Sequence, residues 1–443
     1  MREAALALVE RALAAGAAQA EAFVKVGATR TVRLEAGGGV SWTRRSEGGI
    51  ALRLFTPEGG AGFAAACGPE PAEPAARSLV QAALHGALPD DAARLPLPGG
   101  PAPDARGFGI FDPRLQACAP SDLEGLLDEA ASEALRAEPR VRRLDTASLA
   151  ASSAEVWLAN SSGFAGTYKQ TLVHIVLGVV AGDGASSVVV RRSRTARSFA
   201  AFSPALFGDE TARLAATALE GRAAPEGSYP AMLAPAAAAE VLRRFARSIT
   251  PAWPDPSRPA GSACVTLIDD GRLPGGVASA PFDGEGVPTR RTALVERGAA
   301  GRTIHDRRSA AADGGVSTGN ASRASFRDPP RRAPSNLFIA PGSAEPGELL
   351  AEMRGTGSGL WIQSLRPASS MMPGDTRMTA LATGRWVEQG RPGRPIAGAL
   401  ISLPLEGWLP GVRAVGNDLA FGFPAGSFGS PSLLIDSVGV RAP

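Results

Sequence analysis

Hydrophobic and polar positions change period several times along this 443-residue chain. In the opening stretch MREAALALVERALAAGAAQAEAF, Leu6, Val9 and Leu13 recur at helical spacing, which predicts an amphipathic helix. EAFVKV and TRTVRLEA then alternate with period two, as half-buried strands do, and GGIALRLFTPEGGAGFAAA reads as two strands around a Pro-Glu-Gly-Gly turn. Helical spacing returns from Glu73 to His85, whereas the proline-rich run at 87–107 can hold neither a helix nor a central strand. PSDLEGLLDEAASEALRAEP predicts another helix, with Leu123, Leu126, Leu127 and Leu135 on its apolar face and Ser121 and Glu124 as its capping box. Three strands follow, turning at Asn160–Gly163 and Gly182–Ala185, and a helix over 209–221 closes the unit. Beyond 222 the texture becomes short strands cut by Gly and Pro. It holds one well-patterned helix, AAEVLRRFARSI, with Val241, Leu242, Phe245 and Ile249 inward, and a shorter one, PGELLAEM.

These periods predict an α+β fold. N-terminal and central α/β units at 1–100 and 108–222, each with mixed or antiparallel sheet, precede a mainly β C-terminal domain at 223–443. Length agrees, since a chain of this size exceeds one ordinary core. Hydrophobic residues at 44% and charged residues at 20% place it among globular proteins and away from disorder or membrane residence. The 46 basic and 43 acidic residues leave +3, and only Lys25 and Lys169 are lysines. VRRSRTARSF and RDPPRRAP are the nearest approach to a basic patch, and neither is interleaved with aromatics, so no nucleic-acid partner is expected. Arg2, Glu3, Glu10 and Arg11 break any signal-peptide core and no 18-residue apolar run occurs. The expectation is a cytoplasmic protein with no membrane partner.

Candidate chemistry is sparse. Cys67, Cys118 and Cys264 are far apart and in no C-x-x-C spacing, and read as small buried hydrophobes. His85, His174 and His305 are scattered, and no His-Glu-x-x-His occurs. His305-Asp306 invites a triad with a serine such as Ser317, but no Gly-x-Ser-x-Gly elbow accompanies it. ADGGVSTGNASR lacks the Gly-Lys-Ser/Thr of a phosphate cradle and reads as a loop; GTGSG reads as a helix stop. Asp269-Asp270 precedes Gly271 and reads as a turn. In SAPFDGEGVPTRRTALVERG, Asp283 and Glu285 share one bend. They cap a turn, with Gly284 and Gly286 supplying unusual backbone angles, or line a peptide groove, or clasp a metal, for which two carboxylates are too few ligands.

Several stretches, taken in order, resemble the TldD/TldE (PmbA) family of metallopeptidase subunits. They are GGIALRLFTPEGGAGFA, ANSSGFAGTY, PFDGEGVPTRRTALVERG, STGNASR, PSNLFIAPGSAEPGELL, GRWVEQGRPGRPIAGALIS and GSPSLLIDSVGVRA, and they cover nearly the whole chain. The resemblance implies a pairing of unlike subunits, one carrying zinc on a His-Glu-x-x-x-His helix with a later cysteine, the other metal-free. A gap-free count from Pro235 puts Arg243, Arg244 and Ser248 where His, Glu and His would stand, and no Cys follows Cys264. The chain therefore resembles the metal-free TldE/PmbA side.

That resemblance implies a non-catalytic subunit with no cofactor of its own. It would pair with a zinc-bearing TldD-like paralogue to cleave unfolded or modified peptides, shaping the substrate channel. The alternative is a homodimeric, non-enzymatic binding or regulatory protein on the same scaffold. Loop-borne candidates for substrate or partner binding are Asp283, Glu285, Arg290, Asn320 and Arg323. No residue is assigned a catalytic or metal-binding role.

Overall fold

The computed structural model describes residues 1–35, 38–249, 253–254, 257, 259–368, 376–422 and 426–441, without the side chains of Ser248 and Thr356. The first half runs α1 (Arg2–Ala14), β1 (Gln19–Leu34), β2 (Val40–Phe55), β3 (Gly60–Cys67), α2 (Glu73–His85), β4 (Leu88–Pro89), α3 (Pro113–Ala117) and α4 (Pro120–Ala137). It continues through β5 (Val141–Asn160), β6 (Ala165–Ala181), β7 (Val188–Ala196) and α5 (Pro204–Glu220). Its strands form one antiparallel sheet in the order β4-β3-β2-β1-β5-β6-β7. The pairing of β1 with β5 joins the units on either side of the proline-rich run.

Each half of the sheet keeps its own helical cover. Ala20, Ala22, Val24, Ile50, Leu52 and Leu54 pack against α1 and α2, and Leu149, Ile175, Leu177 and Val179 against α4 and α5. Individual faces differ in detail from the sequence reading. In α1 the buried residues are Ala5, Leu8, Val9 and Ala12, while Leu13 is exposed, because small alanines and not the outermost leucine meet the sheet. In α4, Leu123, Leu127, Ala130, Ala131 and Ala134 are buried and Leu135 is exposed. Nor do Ser121 and Glu124 cap α4. The N-cap is Ala119, two residues earlier, with Pro120 as the first helical residue, and the Asp122 carboxylate accepts the Ala119 N–H at 2.7 Å.

The second half contains β8 (Gly227–Leu233), α6 (Pro235–Phe245), β9 (Leu267–Asp270), β10 (Arg291–Glu296), β11 (Ala299–Ala300), α7 (Arg307–Ala312), β12 (Ala321–Ser322), β13 (Arg331–Arg332) and β14 (Leu337–Ile339). After α8 (Pro346–Glu352) come β15 (Ser358–Pro367), β16 (Arg377–Glu388), β17 (Arg391–Pro404), β18 (Val412–Val415), β19 (Phe428–Gly429) and β20 (Leu433–Arg441). Strands β17-β16-β15-β8-β20 follow one another, and a further pairing of β17 with β20 closes them into a ring, with β18 added on β20. Val241, Leu242, Phe245 and Ile249 are buried with the apolar residues of this ring, as the period of AAEVLRRFARSI predicts. The remaining strands form a five-stranded sheet, β11-β10-β9-β14-β19, and the β12-β13 pair. The fold is thus α+β, with the second half dominated by strands. Among the described residues no helix is long and apolar enough to cross a membrane.

Candidate functional site

Period two places Glu21, Phe23 and Lys25 on the face of β1 opposite its helix-covered face. That face meets the loops of the second half. Phe23, Val156, Leu158, Phe164, Phe282 and Phe326 form a small apolar cluster there, with Phe282 edge-on to Phe164 and to Tyr168, each at 5.2 Å between centroids. Beside it lies an ionic seam. Glu21 is fully buried and opposes Arg53 directly across β1 and β2. Arg53 Nε stands 2.9 Å from Glu21 Oε1 and Arg53 Nη2 2.7 Å from Glu285 Oε1, contacts that lie outside hydrogen-bond geometry and act as ion pairs. Arg323 donates to Glu21 Oε1 at 2.6 Å and to the Gly284 carbonyl at 2.8 Å, its guanidinium 4.8 Å from the Phe23 ring centre. Arg307, also buried, donates through its side chain to the Ala92 carbonyl at 3.0 Å, while its backbone N–H donates to Glu285 Oε2 at 2.9 Å.

Burial dominates the electrostatics of this seam. It works against the Arg53 charge, but Glu21 and Glu285 outweigh it and hold that guanidinium firmly protonated. Arg323 is pulled down to about 10 by burial, against the attraction of Glu21. Glu21 and Arg53 come from the first sheet, Glu285 and Arg323 from loops more than 200 positions later, and together they pin the first sheet to the second half.

The Asp283–Gly286 bend divides its two carboxylates between different tasks. Asp283 Oδ1 accepts the N–H groups of Glu285 at 2.9 Å and Val287 at 3.0 Å, and Oδ2 accepts that of Ala321 at 2.9 Å. It is a turn carboxylate that also ties the bend to β12. Burial, followed by the Glu285 charge, pushes its carboxyl well above the usual range. Glu285 turns the other way, into the seam. Gly286 has φ +82°, as a left-handed position requires. Gly284 does not; it is needed for close approach, because a Cβ there would lie 2.9 Å from the Ala321 carbonyl oxygen and from Arg323 Cγ.

A cavity of about 190 Å³ opens between the sheet face and these loops, and Asp283, Asn320 and Arg323 line it, along with Lys25, Tyr168 and Gln170. Glu285 sits behind its wall, in the seam, and Arg290 is exposed elsewhere, donating to the Ser317 carbonyl at 3.0 Å. Asn320 donates to Asp269 Oδ2 at 2.6 Å and accepts from the Thr318 hydroxyl at 2.6 Å. Asp269 is therefore no turn residue. It is buried on β9, accepts from the Ser335 N–H at 2.6 Å, and burial pushes its carboxyl up to about 7. Only Asp270 serves the turn, accepting the Arg272 N–H at 2.8 Å. Glu21, Arg53, Arg307, Lys25 and Tyr168 were not singled out as site residues by sequence reasoning. The available signal was that period two puts Glu21 and Lys25 on one strand face with Phe23.

Nucleophilic catalysis finds no geometry around His305. Its Nδ1 is 3.3 Å from Ser309 Oγ and 3.6 Å from Asp313 Oδ2, so both partners crowd one ring nitrogen, whereas a triad needs them on opposite nitrogens. Asp306 caps α7 by accepting from the Ser309 N–H at 2.8 Å, and Ser317 donates to the His305 carbonyl. Of the cysteines, Cys118 is buried, but Cys67 and Cys264 are exposed, contrary to their reading as buried hydrophobes, because both stand at strand or loop ends.

On α6, Arg243 donates to Glu240 at 2.6 and 2.8 Å and Arg244 at 3.0 Å. Glu240 and Arg244 are both buried. Two guanidinium groups have no lone pair for a metal and would repel a dication, so these residues do not fit zinc. The side chain of Ser248 lies outside the described residues. Among those described, no group of three or more His, Cys, Asp or Glu could hold a metal ion.

Residues 116–219 match the family description "PmbA/TldA metallopeptidase central domain" and residues 255–442 "PmbA/TldA metallopeptidase C-terminal domain". A metalloprotease TldD homolog of Buchnera aphidicola is 26% identical over 259 residues, 53% of each chain. A metalloprotease of Methanocaldococcus jannaschii is 35% identical over 106 residues, 24% of this chain and 23% of that one. The chain spans about half or less of the length of the curated relatives it matches. The crystal structure of TldE from Thermococcus kodakarensis superposes with a TM-score of 0.85 at 18% identity, covering 99% of this chain and 100% of that one, a likeness of fold.

Proposed function

Because the chain belongs to the PmbA/TldD metallopeptidase family, we propose that it is a subunit without a zinc site of its own, working in the cytoplasm beside a zinc-bearing paralogue to cleave unfolded or modified peptides. The observation that carries this reading is α6, where Arg243 and Arg244 converge on Glu240 in place of metal-binding side chains. Hydrolysis by zinc needs lone-pair donors around the ion and a carboxylate free to take a proton from water. Here the one carboxylate of the helix is neutralised by two arginines. The contribution of this subunit is then shape and polarity: loops rigidly held on a sheet by the ionic seam, bordering a narrow cavity that admits extended chain and excludes folded protein.

The test is metal analysis joined to activity. Purified chain should hold no stoichiometric zinc and cleave no peptide, and adding a His-Glu-x-x-x-His paralogue should give a complex with zinc and chelator-sensitive cleavage. One tightly held zinc per isolated chain would overturn the reading.

A further inference from the structure

Two cavities meet on the sheet face that the C-terminal loops cover. The first is the 190 Å³ space described above; the second, about 230 Å³, is bordered by Thr29, Arg45, Ser152 and Phe326. Lys25 and Gln170 border both. Register puts Lys25 of β1 opposite Val156 of β5, and Val156 opposite Tyr168 of β6. With neighbouring strands about 4.8 Å apart, the backbones carrying the ammonium and the phenol stand roughly 10 Å from each other across the short Val156 side chain. The result is a slot with donors on its walls and an aliphatic floor.

Those donors have little to bind within the chain. Among the described residues, Lys25 makes a single hydrogen bond, a long one of 3.4 Å to the Ala324 carbonyl, and the Tyr168 hydroxyl makes none. Gln170 Oε1 accepts from Arg197 Nη1 at 3.0 Å, which leaves the amide NH₂ of Gln170 unused. Burial pulls the Lys25 ammonium down, with Glu47 opposing, and raises the Tyr168 phenol to about 12, so the phenol keeps its proton at neutral pH. The bordering acids are already engaged: Asp283 accepts three backbone N–H groups and Glu47 pairs with Arg327. Partly desolvated donors without acceptors are costly unless a ligand supplies acceptors, and a cation among them selects an anion.

We propose that this slot binds a carboxylate of a peptide, with the Lys25 ammonium as counter-charge and the Tyr168 hydroxyl and Gln170 amide as hydrogen-bond donors. The carboxylate is that of an acidic side chain or of a chain end, and its peptide source rests on the function proposed above. Neither Lys25 nor Tyr168 belongs to the ionic seam, so both are open to substitution.

The full chain is titrated with acetate, followed by NMR of the labelled Lys25 side chain, and with three fluorescent hexapeptides: one with Asp and an amidated end, its Asn counterpart, and the Asn peptide with a free carboxylate end. Wild type should show an acetate-dependent shift at Lys25 and bind one carboxylate-bearing peptide at least about tenfold tighter than the amidated Asn peptide, the size of one charge-assisted contact. Which peptide gains identifies the source. Lys25→Met should abolish that preference, and Tyr168→Phe, a smaller change should Met at 25 prevent folding, should reduce it severalfold. Acetate shifts without peptide binding would uphold the site and count against the peptide-processing role. Peptide binding with no carboxylate preference, a preference untouched in either variant, or no response to any probe would overturn the site.

Discussion

Asp269 shows what one buried carboxyl does to the energetics of the molecule. An unfolded aspartate ionises near 3.9, whereas burial raises this one to about 7 in the folded chain. Between those values the native state keeps a proton that the unfolded state has lost, so stability falls as pH rises through the window, by an amount on the order of 4 kcal/mol if the shift is fully expressed. Replacing Asp269 by Asn should therefore make the dependence of unfolding free energy on pH shallower between about 4 and 7, with buried Asp283 supplying a remaining slope of the same sign. Denaturant titrations at several pH values measure it, and an unchanged slope would assign the dependence to another group. Such residues were hidden from sequence reading for a physical reason. Asp269 beside Asp270 and Gly271 has the chemistry of a turn, and only the arrival of Asn320 and Ser335 from more than 50 positions away makes it an interior group. Asp283 was more legible, since the Asx turn that engages it is local.

At the scale of elements, periodicity carried most of the information. The α2 boundaries, the β2–β3 hairpin and the turns of β5, β6 and β7 follow from local spacing and turn chemistry. Pairing partners do not, because β1 could cover its edge with several strands, and its choice of β5 depends on what lies 120 residues later. Close packing of elements is equally illegible. Gly208 on α5 faces α4 so tightly that a Cβ would lie 2.2 Å from the Ala130 carbonyl oxygen. Alanine there gains about 1 kcal/mol of helix propensity, but the overlap with a rigid backbone costs about 1–3 kcal/mol or more. Gly208→Ala is expected to lower the melting temperature, and a rise would mean that the two helices part without cost.

Across the whole molecule, the seam of Glu21, Arg53, Glu285 and Arg323 couples the first sheet to the second half. Arg53→Met removes the ion-pair partner of the buried Glu285 carboxylate, while Glu21 keeps Arg323, and the loss costs about 3–5 kcal/mol by analogy with other broken buried pairs. Since Arg53 and Glu285 belong to different halves, calorimetry is expected to show one transition for the wild type and two for the variant. A variant melting in one transition at the wild-type temperature would make the seam dispensable. The ring of the second half carries a consequence of another kind. Strand β20 lies between β8 and β17 and completes the circle, so the barrel wall has a gap until residues 433–441 have been synthesised. During translation the first 221 residues can leave the ribosome and assemble their sheet and helices, while β8 waits for a neighbour made some 200 residues later. A nascent chain stalled before 433 should thus be protease-resistant in its first half and open to cleavage in its second.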